Sequence, residues 1–324
     1  MDDTQDISKL ALALSDLELA LLLCLAAQEH CLIETTENSV DDVAAELALI
    51  CSHTYGLTYA IVDFSTLVTF DDLCDQICLR NTRRTVDALI AKNLDHASEN
   101  MQLHALKLMH SKSLVAESTV IEAPAQFLFM PLVLRDSGQV QPKLNSHLND
   151  QLIISYFHDS DDGYVYLEDD DWHSEGQASL SSVVHKPDIQ KQNGHPSIDR
   201  DLLNKVYQAS KTVNASAELV RYQQDIAVFL RLSRAVAGGI SARSNIHFAK
   251  LARLLAVLHG LDYLTPSIIA LAAKKVFRHR IVVAKPEDDR SLQYGSDVKA
   301  VAAVLEYATP DTILESVLTL DAPL

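Results

Sequence analysis

Cys74 and Cys78 stand four residues apart. On a helix that spacing sets two thiols on one face, as a pair of zinc ligands would need. No second Cys/His pair follows to close a tetrahedral site, and all five cysteines (Cys24, Cys31, Cys51, Cys74 and Cys78) fall in the first quarter of the chain. They read as small buried apolar residues of a reducing, intracellular compartment, and no metal centre is expected. His104 and His110 flank a helical stretch without a third ligand. Asp169, Asp170 and Asp171 form a carboxylate run, but a hard cation needs oxygens fixed in three dimensions, and a solvated acidic loop is the expectation. Trp172 beside it reads as local packing, with docking of a partner as the alternative. Neither G-x-S-x-G nor H-E-x-x-H occurs, so no catalytic residue is assigned.

The glycines exclude further chemistry. There are nine in 324 residues, and no two are separated by two or by five positions. G-x-G-x-x-G and G-x-x-x-x-G-K-[ST] are therefore both absent, and with them the usual glycine-built phosphate cradle.

The elements that would position any site alternate between helix and strand. An apolar helix is predicted over 12–28, with Ser15 or Asp16 as its cap, followed by a buried strand at 30–34. A polar loop leads to a helix capped by Ser39 or Asp41 and running through Cys51; a strand follows at 59–63. Thr69 and Asp72 make a capping-box variant for a helix to about Ile77. Strands at 86–91 and 126–134 bracket a helix at 99–110. This alternation predicts a parallel sheet with helices on both faces. Between His158 and Glu175 lie eight acids and no Lys or Arg, and polar residues continue to His195. From Ile198 onward the expectation is wholly helical: a helix over 216–236 stopped by Gly238-Gly239, a second over 244–258 stopped by Gly260, and Thr-Pro starts at 265–266 and 309–310.

Forty-four acids against 27 bases give a net charge of −17, which repels phosphate backbones and anionic lipids. Neither nucleic acid nor a membrane is an expected partner. The start, MDDTQDISKL, lacks a basic region and does not read as a signal peptide; the apolar run from Leu17 to Ala27 carries Glu18 and is too short to span a bilayer.

Two runs carry a family resemblance: Leu258-His-Gly-Leu-Asp-Tyr-Leu-Thr-Pro266 and Val276-Phe-Arg-His-Arg-Ile281. They resemble the G-R-D-Y-V-T-P and V-L-R-H-R-I runs in the C-terminal lid of AAA+ ATPases of the MoxR and magnesium-chelatase I-subunit type. The resemblance implies an α/β fold, a parallel AAA+-like core sheet flanked by helices and followed by an all-helical lid. It divides the chain into a degenerate core domain (1–157), an acidic linker or insertion (158–197), the lid (198–285) and a helical extension (286–324).

Traced back through the core, the same resemblance implies lost chemistry. The phosphate-loop position, Glu34-Thr-Thr-Glu-Asn-Ser-Val-Asp-Asp42, has no Gly, no Lys and four carboxylates. Leu89-Ile-Ala-Lys-Asn-Leu-Asp-His-Ala97, with Met101-Gln102 after it, looks like the Walker-B strand, with Lys92 and Asn93 where the family carries Asp-Glu. Lysine excludes Mg²⁺ there, although its ammonium could supply part of the ion's charge, and Asn93 cannot act as a base. Pro131, Leu132 and Val133 stand at the polar-sensor end of the next strand, and Gln151 at an arginine position. Gly239-Ile-Ser-Ala-Arg243 resembles the G-A-S-P-R run, making Arg243 a vestigial sensor-2 residue or a structural arginine. The implied function is a pseudo-ATPase acting as a protein-interaction or regulatory subunit without a bound cofactor, with an active AAA+ relative in a mixed ring as one form of partnership. Two alternatives stand beside it: an ATP/Mg²⁺-dependent chelatase-like or chaperone-type ATPase with an unconventional site around Lys92 and Arg243, and a module that recruits a basic partner through the acidic segment.

Overall fold

The computed structural model describes residues 2–66, 69–79, 82–116, 119–135, 143–167 and 196–319. The run at 169–171 and Trp172 therefore lie outside the described residues. The chain falls into two compact units, Lys9–Tyr207, and Gln208–Leu324 with Met1–Ser8.

The first unit is built on a five-stranded sheet. Its strands are β1 (His30–Thr35), β2 (Tyr59–Asp63), β3 (Ala88–Lys92), β6 (Leu128–Leu134) and β7 (Leu152–His158). Their spatial order is β2-β3-β6-β1-β7, every pairing parallel. All six residues of β1 are buried. Such a strand must have helices over both faces, because a parallel sheet cannot leave one face to water. Helices α2 (Asp16–Ala27) and α3 (Val40–Leu49) lie against the sheet, α2 on β1 and β7, α3 on β2, β3 and β6. Helices α4 (Phe70–Ile77) and α5 (Glu99–Ser111) add Leu73, Ile77 and Leu108 to a core that includes Val62, Leu89 and Phe129 of the sheet. Each such aliphatic side chain, fully buried, stabilises by about 1.5–3 kcal/mol before entropy is counted.

Local chemistry sets the helix starts. Ser15 caps α2 reciprocally with Glu18, and Thr69 caps α4 reciprocally with Asp72. Helix α4 stops at Ile77, and Cys78 is already extended. Cys74 and Cys78 thus do not share a continuous helix face, and burial pushes the Cys74 thiol up to about 12 and the Cys78 thiol upward as well. His104 stacks on Phe70 at 4.1 Å. Helix α3 ends in a π-helical turn over Ile50–Thr54.

Two features differ from expectation, and one proline sits unusually. A β4–β5 hairpin (Ser113–Ala116, Thr119–Glu122) follows α5. A fifth sheet strand, β7, occupies the stretch before the acidic segment, preceded by a single short turn of helix, α6 (Ser146–Asn149). Proline normally sits on sheet edges, yet Pro131 lies in β6 between β3 and β1. Its residue is paired with Ala91 of β3, and the β1 register begins only at Ile33 and Leu132, so the missing N–H faces no ladder.

In the second unit, α7 (Arg200–Thr212) enters from the first, and α8 (Ala217–Leu232), α9 (Ala242–Leu258) and α10 (Pro266–Phe277) follow. It is not wholly helical. Helix α8 stops at Leu232 rather than Val236, because Val236–Gly238 forms β8 and pairs antiparallel with β9 (Val282–Val283). The Thr265 and Thr309 caps with proline behind them open α10 and α12 (Pro310–Leu318), with α11 (Val298–Leu305) between. Gly239 has φ +97°, and a Cβ there would lie 1.7 Å from the Arg280 carbonyl oxygen, so only glycine fits.

Candidate functional site

In a parallel α/β sheet, ligands bind outside the carboxyl ends of the strands. In the first unit those ends are Thr35, Asp63, Lys92, Leu134 and His158.

The turn from β1 to α3 is short. Only Thr36–Ser39 separates the strand from the helix, and Glu37–Ser39 is a tight 3₁₀ turn. Ser39 N–H donates to the Thr36 carbonyl at 3.1 Å, and the Thr36 and Ser39 hydroxyls meet at 3.0 Å. Thr35 Oγ1 donates to the His158 carbonyl at 2.9 Å. The loop thus spends its polar groups on itself and on β7, and the first turn of α3 presents Asp41 and Asp42. These acids complement the helix dipole as an anion would, and they repel one.

Lys92, the last residue of β3, closes the edge. Its ammonium bonds to Asp41 at the start of α3 and lies 3.9 Å from Asp63 Oδ2 at the end of β2. The Lys92 side chain is 15% exposed, that of Asp41 76% and that of Asp63 31%. Asn93 follows in the left-handed region at φ 54°, a conformation asparagine tolerates. Its backbone N–H donates to Leu132 O at 2.8 Å, and its side chain donates from Nδ2 to Asp63 Oδ1 at 3.1 Å. Ser65 adds N–H and Oγ donors to the same oxygen at 2.9 and 2.6 Å. Burial opposes charge on Asp63, but these bonds and the Lys92 ammonium outweigh it and hold its carboxyl below the ordinary range. The two sequence-predicted Walker-B positions are therefore brought together, and both grip Asp63, a residue that sequence reasoning did not single out.

The neighbouring ends are apolar or structural. Leu132 and Val133 are fully buried where a polar sensor side chain would end β6. Gln102 is buried; its amide donates to the Leu94, Ala97 and Lys143 carbonyls and accepts from Asn145 N–H at 2.6 Å, fixing the loop after the strand. Gln151 lies just ahead of β7, half-buried. His158 is buried between Tyr156 and Tyr164, with ring centroids at 6.3 and 5.2 Å. Burial lowers its proton affinity against the fields of Asp162, Asp159 and Asp16. Arg243 belongs to the second unit, as the second residue of α9, half-buried. Among the described residues no cluster of three His, Cys, Asp or Glu is arranged for a metal ion, and no helix is long and apolar enough to cross a membrane.

Residues 229–303 match the AAA lid domain family. No curated protein matches the chain. A crystal structure of a presumed ATPase from Cytophaga hutchinsonii is similar at a TM-score of 0.60 and 14% identity, covering 97% of this chain and 94% of that one. A full-length MCM homolog from Methanopyrus kandleri is similar at a TM-score of 0.47 and 12% identity, covering 86% of this chain and 60% of that one. The chain thus has the AAA+ fold, a parallel five-stranded sheet flanked by helices and followed by a helical region that matches the AAA lid.

Proposed function

We propose that this AAA+-type chain is a pseudo-ATPase of the magnesium-chelatase or MoxR kind that acts through protein contacts. One observation carries the reading: the Lys92 ammonium stands between Asp41 and Asp63 at the edge where the family's metal ion would be held. A divalent cation there would meet a fixed positive charge, and the two carboxylates that could ligate it are already engaged. The donor set does not fit Mg²⁺, and the turn at Thr36–Ser39 offers no glycine and no lysine to a triphosphate. On this reading Arg243 is a structural residue of the lid.

Contact with another protein is supported by apolar side chains left in water. Val220, Val228 and Leu232 recur along α8 and are 41%, 44% and 73% exposed, and Ile246 on α9 is 66% exposed. An apolar row of this kind marks interaction surfaces more than monomeric ones. Calorimetric titration of the full chain with Mg·ATP and with a non-hydrolysable analogue tests the reading. The expected result is no binding heat and no phosphate release; micromolar affinity with turnover would overturn it.

A further inference from the structure

Two carboxylates lie inside the first unit with no basic partner among the described residues. Glu18 on α2 and Glu46 on α3 are each 1% exposed. Glu46 Oε1 accepts from Val165 N–H at 2.9 Å and Tyr166 N–H at 3.2 Å, and Oε2 accepts from Tyr166 and Leu167 N–H at 3.2 Å each. Glu18 Oε1 accepts from Thr54 Oγ1 at 2.7 Å and from the Tyr166 hydroxyl at 3.3 Å, while Oε2 accepts from Ser15 N–H at 2.8 Å. Tyr166 therefore lies on both carboxylates, backbone on one and hydroxyl on the other.

These bonds hold a short segment, 163–167, across α2 and α3. Gly163 turns it with φ +74°. Tyr164 packs on His158 and brings its hydroxyl towards Ser39, at the start of α3. Thr54, at the π-helical end of α3, bonds the Tyr166 hydroxyl at 2.7 Å and accepts Ile198 N–H on its carbonyl at 2.7 Å, so chain on both sides of the acidic segment is fixed to one residue. The strap runs along α3, from Ser39 at its start, through Glu46, to Thr54 beyond its end.

We propose that this strap closes with uptake of a proton by Glu46, beside the buried Glu18, so that mild acid tightens it and rising pH loosens it. The donors to both groups are neutral amides and hydroxyls, which cannot cancel two buried negative charges in one place; shedding one charge is the cheaper arrangement. Opening the strap returns the carboxylates to water and releases the proton. Among the described residues the groups shown facing the pair are phenols and acids: Tyr55 and Tyr166 are neutral, and Asp42 and Asp159 near Tyr164 add negative field. Cys51 lies in the same turn as Thr54, its thiol pushed far up by burial. Among the described residues, His53 lies 5.5 Å from the Tyr166 ring and is an imidazole that can carry a positive charge. Burial pushes the Glu46 carboxyl up, opposed by its three backbone donors and reinforced by Glu18. A raised value places the coupling above pH 4.5, the ordinary value, up to the raised one.

The proposal does not rest on the nucleotide reading and is tested without nucleotide. Amide hydrogen exchange of Val165, Tyr166 and Leu167 is followed in the full chain from about pH 4.5 to 7.5, corrected for intrinsic rates and referred to amides of β1. Strap protection should fall as pH rises, by up to about tenfold per pH unit, and then level off. Glu18→Gln keeps a capping-box acceptor for Ser15 while removing one charge, and should flatten the dependence. Glu46→Ala should leave the three amides unprotected at every pH while the β1 amides stay protected. His53→Phe should leave the dependence in place. Protection independent of pH in the wild type, a dependence unchanged in Glu18→Gln, or one abolished in His53→Phe would each overturn the proposal.

Discussion

Replacing Lys92 by methionine keeps the buried stem of the side chain and removes its charge. The structure sets the size of the effect. At 3.9 Å from Asp63 the gross attraction is about 4 kcal/mol at the effective dielectric of a near-surface pair. Desolvation of a lysine side chain only 15% exposed offsets much of that. The bond to Asp41, whose side chain is 76% exposed, contributes at most about 1 kcal/mol. A net loss of about 1–2 kcal/mol is expected, seen as a melting temperature lower by about 2–4 °C per kcal/mol for a unit of this size. Urea or thermal melts of Lys92→Met, Asp63→Asn and the double variant should give a coupling of at least about 0.5 kcal/mol, whereas the cycle with Asp41→Asn should give less. The pH dependence has a definite sign. Asp63 is held below its ordinary 3.8, so its contribution is complete above pH 3.8 and is lost as pH falls through the depressed value. The wild-type advantage should therefore shrink in acid. A Lys92→Met protein as stable as wild type at pH 7, or a coupling of zero with Asp63, would refute the view that Lys92 ties β2, β3 and α3 together.

Two further outcomes are expected. Gly239→Ala should destabilise the second unit by more than about 3 kcal/mol, because φ +97° and a Cβ 1.7 Å from the Arg280 oxygen act together; a loss below about 1 kcal/mol in thermal melts would contradict the packing described. His158→Phe should leave stability at pH 7 unchanged or higher, since neither ring nitrogen has a hydrogen-bond partner among the described residues. Its lowered proton affinity means that stability is complete above the ordinary 6.5 and declines as pH falls below it, so the phenylalanine variant should gain on wild type towards about pH 5. A cost above about 1 kcal/mol at pH 7 would show that the imidazole holds a bond.

What the sequence revealed was local. Thr69 with Asp72, and the Thr-Pro starts of α10 and α12, are cap chemistry written within four residues, and the helices begin where that chemistry says. Strands β1 and β2 were legible as short apolar runs between polar turns. Strand β7 was not, because Leu152–His158 leads directly into the acids and its pattern is that of any buried segment until β1 is known to lie beside it. The β8–β9 pair was hidden for a related reason: Val236 continues the apolar period of α8, and only its partner Val283, 47 positions away, turns it into a strand. At the candidate site, Lys92 and Asn93 could be picked out by resemblance, but their common partner Asp63 lies 30 positions from Asn93, and Asp41 lies 51 from Lys92. No spacing rule spans such distances; the sheet order does. Glu18 stood out only as a charge inside an apolar run, Glu46 did not stand out at all, and nothing local announces that both are buried beneath Tyr166.

The β1–β7 pairing also sets a clock for biosynthesis. Thr35 and His158, joined across those strands, are 123 residues apart. At about 5–20 residues per second, β1 leaves the ribosome about 6–25 s before its partner does. Throughout that interval one side of a wholly buried strand waits as bare backbone, a template for any foreign strand that reaches it first. A nascent chain stalled short of residue 158 is caught in that state.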